Sequence, residues 1–256
     1  MKRRLTDNQL FNYLIDKSNE KFEGWDFSYI EGTGRMQEFP LTWNYRNKVM
    51  MEMYGISSLL DMGTGGGEFL STLSPLPKYT CATEGYVSNI SIARSRLEPL
   101  GVKVYKVEDD EKLPFDDKTF ELVINKHESY SPKEVKRILE NNGIFITQQV
   151  GGLNDKEINN ILGAPEFEFN DWNLEEAVAE LEEVNLNVFE QREDLVKTRF
   201  YDIGAIVYYL KAIPWQVPDF TIEKYFDKLL EMHNMIEKLG YIDFTCHRFF
   251  IMANKE

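Results

Sequence analysis

One stretch constrains the fold more than any other: LLDMGTGGGEFL, running from Leu59 to Leu70. An apolar run ends at Asp61 and passes directly into Gly63, Gly65, Gly66 and Gly67, after which a helical pattern begins. Glycine reaches positive φ and lets a ligand approach the main chain, so a strand that breaks into such a turn predicts a ligand-facing sheet edge. Two ligand classes fail here. A dinucleotide fingerprint, G-x-G-x-x-G counted from Gly63, places Glu68 at its sixth position, an anion where pyrophosphate would meet a helix N-terminus. A phosphate-cradling P-loop requires a Gly-Lys-Ser/Thr ending, which is missing.

After Gly55, short apolar runs alternate with helical patterns: SSLLDM, YTCATE, VKVYKV, FELVIN and IFITQQV. That rhythm predicts an α/β fold, a doubly wound and mostly parallel seven-stranded sheet with helices on both faces. Ser88 or Asn89 is expected to cap the helix after YTCATE, and Pro132 to Glu140 reads as a helix stopped by Asn141, Asn142 and Gly143. Before this domain, residues 1–54 read as a helical N-terminal cap with an irregular stretch from Gly24 to Pro40. Within residues 55–256, a strand is expected near Asn187 to Glu193. A helical insertion at about 200–240 precedes a final buried strand from Ile242 to Met252.

Composition narrows the partners. Asp plus Glu outnumber Lys plus Arg by 43 to 29, a net charge of −14 over 256 residues. Polyanionic partners such as nucleic acid are disfavoured, because phosphate binding draws on Lys and Arg clusters. The basic residues Lys2, Arg3 and Arg4 read as solvated tail. Cys81 and Cys246 lie far apart with no signal segment before them, which points to a reducing cytoplasm. No apolar run reaches the roughly 20 residues of a membrane helix, and no His, Cys and Asp cluster has metal-ligand spacing. His233 and His247 read as packed histidines.

The glycine-rich segment resembles the first motif of class I S-adenosylmethionine (SAM) methyltransferases, D/E-x-G-x-G-x-G, matched at Asp61, Gly63, Gly65 and Gly67. The resemblance implies SAM as cofactor and S-adenosylhomocysteine as product. It places Asp61 near the aminoacyl end, with the glycine backbone against the ligand. Glu84, last in YTCATE, matches the acid that grips both ribose hydroxyls, a task suited to two acceptor oxygens. VEDDEKLPFDDKTFELV resembles the family's D-A-E-x-L-P-F stretch. Asp109 there aligns with the acid that meets the adenine amino group, and Asp110 supplies a backbone NH, with Glu108 as a rival in an uncertain register. Arg137, Leu139 and Gly143 match the R-x-L-x-P-G-G segment, with Asn141 and Asn142 in place of Pro-Gly.

In that family the end of the fourth strand, Asn125, sits under the methyl donor, so Asn125 joins the cofactor set. His127 follows as a candidate base, with Glu128 either orienting its imidazole or capping the next helix. Tyr29, Arg35, Trp43 and Trp215, drawn from the aromatic-rich caps, are the candidate acceptor-binding residues. The expectation is transfer of a methyl group to O, N or C of a small molecule. RNA or protein methylation, and a non-catalytic SAM sensor or scaffold, are the alternatives. The oligomeric state is not legible.

Overall fold

The computed structural model describes residues 6–256, so the basic residues Lys2 to Arg4 lie outside the described residues. The strands are β1 (Met36–Glu38), β2 (Ser58–Met62), β3 (Tyr79–Glu84), β4 (Lys103–Lys106), β5 (Phe120–Lys126), β6 (Leu139–Val150), β7 (Asn187–Phe200) and β8 (Ile242–Asn254). They form one sheet in the order β1-β7-β8-β6-β5-β2-β3-β4. The pairings β4 with β3, β3 with β2, β2 with β5 and β5 with β6 are parallel. Those of β8 with β6, β7 with β8 and β1 with β7 are antiparallel. The sheet order reverses between β2 and β5, which opens a crevice at the carboxyl ends of those strands.

Eight strands rather than seven make up the sheet among the described residues. The additional one, β1, comes from the stretch that reads as irregular. Three residues with burial on Met36 alone carry no periodic signal, and the strand exists only because the free edge of β7 pairs with it. Strand β7 also runs to Phe200, beyond the expected Glu193, because β8 offers partners along its whole length. Charged residues on both of its faces (Arg192 and Asp194 on one, Lys197 and Arg199 on the other) conceal the strand in sequence.

The helices are α1 (Asp7–Ser18), α2 (Tyr45–Glu52), α3 (Glu68–Ser71), α4 (Val87–Leu97), α5 (Pro132–Ile138), α6 (Lys156–Leu162), α7 (Leu174–Glu183), α8 (Ile203–Ala212) and α9 (Ile222–Leu239). Successive strand residues point to opposite faces. Leu60, Val123 and Phe249 therefore pack with Val135 and Ile138 of α5 and Leu181 of α7. Their neighbours Leu59, Leu122 and Phe250 pack with Val49 of α2, Leu70 of α3 and Ala93 of α4. Helix α5 ends two residues before Glu140, since the chain turns straight into β6. Helix α4 begins after Tyr86 without a side-chain cap from Ser88 or Asn89.

A third apolar cluster joins both caps. Leu10 and Leu14 of α1 and Ile30 share it with Ile206 and Leu210 of α8 and Leu229 and Met232 of α9. At about 1.5–3 kcal/mol for each large apolar side chain fully buried, this cluster suffices to hold the N-terminal segment on the insertion. Helix α1 carries a full capping box, with Gln9 N donating to Thr6 Oγ1 (3.3 Å) and Thr6 N to Gln9 Oε1 (3.0 Å). Thr221 caps α9 at its start, and Gly240 closes it at φ 86°. No helix among the described residues is long and apolar enough to cross a membrane.

Candidate cofactor and acceptor site

Strand β2 delivers Asp61 into the crevice with 3% of its surface exposed, and Thr64 Oγ1 donates to its Oδ2 at 2.7 Å. Burial raises its carboxyl pKa to about 7. The turn that follows holds Gly63, Gly65 and Gly67 at φ 67°, 61° and 80°, a backbone that other residues adopt only under strain. Space matters as much as φ. A Cβ on Gly63 would collide with Cγ of Glu128, and one on Gly65 would lie 3.2 Å from Cβ of Trp25.

Glu84, at the end of β3, is 2% exposed and accepts from Tyr86 N at 2.7 Å. Its pKa is raised, by burial first, against the hydrogen bonds it accepts. Of the acids after β4, Glu108 turns outward to pair with Lys106. Asp109 is exposed and accepts from Glu111 N at 2.9 Å, which closes its own turn. Asp110 accepts from Ser129 Oγ and so lies against the loop after β5. Glu128 of that loop lies across Gly63. The residue at the N-cap of α5 is Ser131, not Glu128. Burial, then Glu84 and Asp110, raise the Glu128 pKa to about 7. Its position beside the glycine turn was not legible from sequence, because only the β2–β5 pairing brings the two loops together.

Asn125 is fully buried, and its side chain is taken up locally. Oδ1 accepts from Thr147 Oγ1 (2.8 Å) and Gln149 Nε2 (2.6 Å), and Nδ2 donates to Ser129 O. Its backbone carbonyl accepts from Tyr45 OH at 2.9 Å. Asn125 therefore ties β5, β6 and α2 together at the crevice floor.

His127 has φ 62°, a conformation that few residues other than glycine take, and its N–H donates to Gln148 O at 2.8 Å. Its side-chain state follows from donor logic. Trp43 Nε1 is a donor only and donates to Gln148 Oε1 at 2.8 Å, so the Gln148 amide nitrogen faces His127 Nε2 at 2.9 Å. Nε2 is then the acceptor and Nδ1 carries the proton. Burial, then Arg248 and Lys126 nearby, holds the imidazole well below its ordinary pKa, so it is neutral at pH 7.

Of the other acceptor candidates, Trp43 is buried on Phe250, and with Glu38, Pro40, Leu41 and Gln148 it lines an open groove of about 590 Å³. Arg35 makes a two-point ion pair with Asp202, 2.9 Å for each bond, and lies over the Tyr29 ring. Tyr29 OH bonds Glu20 and Lys17, both at 2.9 Å. Trp215 stacks on Trp25. The structure thus gathers Trp43 and His127 in one hydrogen-bonded chain, while Arg35 and Tyr29 are engaged within the cap. His247 is buried, with Nε2 2.9 Å from Glu193 Oε1, whereas His233 on α9 is half-exposed.

The arrangement is a crevice of desolvated carboxylates beside bare main chain. Residues 60–147, from within β2 to within β6, match a family model described as a methyltransferase domain. That match makes the segment similar to methyltransferase domains. No curated protein matches the chain. Over most of the chain the fold is also that of solved structures. A Bacillus halodurans C-125 protein described as a candidate methyltransferase is 18% identical with a TM-score of 0.60, covering 82% of this chain and 98% of that one. The YcgJ protein of Bacillus subtilis is 16% identical with a TM-score of 0.57, covering 83% and 98%. SpnF, a 4+2 cyclase, is 15% identical with a TM-score of 0.53, covering 98% and 96%. These likenesses are of fold, and the cyclase among them shows that the fold by itself does not name the reaction.

Proposed function

We propose that the chain is a methyltransferase that uses SAM to methylate O, N or C of a small molecule. The observation that carries this reading is the convergence of Asp61 and Glu84, both nearly fully buried and neither ion-paired among the described residues, on a glycine-rich turn held at positive φ. Such a donor set fits a ligand with cationic groups and a ribose diol. It does not fit a pyrophosphate.

In this reading Asp61 receives the aminoacyl ammonium, Glu84 the ribose hydroxyls, and Gly63, Gly65 and Gly67 admit the ligand to the backbone. Asp109 and Asp110 stand at the adenine end, and Asn125 fixes the floor below the methyl group. SAM, when bound, supplies an electrophilic methyl on a sulfonium that is its own leaving group. The protein then needs chiefly to align the acceptor for in-line attack, which can supply about 7 kcal/mol or more of the barrier reduction. Trp43 and the groove it lines form one wall of the acceptor side. Tyr29, Arg35 and Trp215 shape the cap above it. His127 can take a proton at Nε2 once Gln148 releases that nitrogen.

A small acceptor is favoured over RNA by the sequence pI of about 4.8. The buried free thiols of Cys81 and Cys246 accord with a cytoplasmic setting. The test is titration calorimetry with SAM and S-adenosylhomocysteine, followed by turnover of a metabolite pool with methyl-labelled SAM. Labelled small products support the reading. Tight binding without any labelled product supports a SAM sensor instead, and absence of binding defeats both.

A further inference from the structure

The aminoacyl end of SAM carries a carboxylate as well as an ammonium. The crevice that would receive it is lined by Asp61, Glu84, Asp110 and Glu128, so an entering anion requires a cation to offset them. Two cations flank the glycine-rich turn. Arg96 is committed: it pairs with Glu68 and donates to Gly66 O.

Lys126 is not committed. Its ammonium has no hydrogen-bond or ion-pair partner among the described residues and stands 5.6 Å over the ring of Phe69. Phe69 belongs to α3, immediately after the turn, and its own ring packs against Tyr45 with centroids 5.3 Å apart. The sheet register places Lys126 independently. Asn125 pairs with Met62, so Lys126 lies one residue further along, level with the start of the turn at Gly63. Its side chain is exposed at the end of β5. Partial desolvation lowers its pKa, with Arg248 adding to the lowering, while Glu38, Glu31 and Asp61 act to raise it. An accessible ammonium with three donors and no carboxylate of its own is available to an anionic ligand.

We propose that Lys126 binds the aminoacyl carboxylate of SAM, beside Asp61 on the ammonium, so that the two side chains together read the zwitterion. The inference rests on the donor reading above. It adds a residue that the motif resemblance does not assign.

The test compares S-adenosylhomocysteine with 5′-methylthioadenosine, which keeps the nucleoside and sulfur but lacks the aminoacyl group. Binding of each is measured by calorimetry on the wild type, Lys126→Met and Lys126→Arg, with thermal melting to verify folding. Lys126→Met is expected to weaken S-adenosylhomocysteine about tenfold or more, the scale of a charge-assisted hydrogen bond, and to leave methylthioadenosine within about twofold. Lys126→Arg is expected to restore most of the loss. Equal weakening of both ligands, or of neither, in a wild type that binds S-adenosylhomocysteine overturns the role of Lys126 alone. A wild type that binds neither ligand removes the donor reading itself, and this inference with it.

Discussion

Trp25 of the N-terminal segment stacks on Trp215 of the insertion, with ring centroids 5.8 Å apart and planes 10° from parallel. The two tryptophans are each about two-fifths exposed. Trp25 also lies against the face of Gly65, so the stack closes the caps over the glycine-rich turn. The same apolar cluster that joins α1 to α8 and α9 supports it from behind.

Breaking that stack should loosen cofactor retention. Trp215→Ala removes one ring without touching the glycine turn, and stacked aromatic pairs are worth about 0.5–1.5 kcal/mol. S-adenosylhomocysteine should dissociate several-fold faster in stopped flow followed by Trp25 fluorescence. An unchanged dissociation rate would show that the pair does not gate the crevice.

Gly65→Arg should abolish SAM binding while the fold survives. The position requires φ 61°, and its outward face meets Trp25, so a long side chain can only enter the crevice or displace the cap. Calorimetry with circular dichroism as control decides the matter. Native affinity in a folded variant would remove this turn from the site.

The raised pKa values predict a pH dependence with a definite sign. Asp61 and Glu128 each titrate at about 7 in the folded chain, above the ordinary carboxylate range, chiefly through burial. Between that range and about pH 7 the folded protein holds protons that the unfolded chain has lost. The contribution of these groups to stability therefore falls as pH rises through the window. A bound ammonium favours ionised Asp61, so binding should expel a proton and tighten from about pH 6 to pH 8. Asp61→Asn should flatten the dependence. A wild-type affinity independent of pH across this interval would contradict the assignment.

His127→Ala should lower kcat about 100-fold or more if the imidazole serves as base, with S-adenosylhomocysteine affinity little changed. A normal kcat at saturating acceptor retires that role. Gln148→Leu removes the donor that stabilises neutral His127, so the imidazole pKa should rise toward its ordinary value, as read by NMR. A titration that does not move would mean that burial and the neighbouring cations alone keep the ring neutral.

Much of the fold was legible because its signals are local. Strands β2 to β5 and helices α7, α8 and α9 announce themselves through the period of their apolar residues, and the structure adds side-chain caps at Asn173, Asp202 and Thr221. The candidate cofactor residues Asp61, Gly63, Gly65, Gly67 and Glu84 were found because each stands at the end of a strand or in the turn that follows it. The expected cap at Ser88 or Asn89 failed because the helix starts earlier, with Tyr86 at its N-cap, so that both residues lie inside its first turn.

The amino-acid sequence by itself determined the strand–turn–helix unit, the acid at each strand mouth and the overall alternation of elements. Each depends on residues a few positions apart, whose backbone preferences need no distant partner. Tertiary structure alone decided that β1 joins the sheet edge, that Arg35 pairs with Asp202, and that Trp43 reaches His127 through Gln148. It likewise set Glu128 on Gly63 and Lys126 above Phe69. Those contacts join chain segments far apart in sequence. Only the packing of the two caps and the register of parallel strands fixes which side chains meet in the crevice.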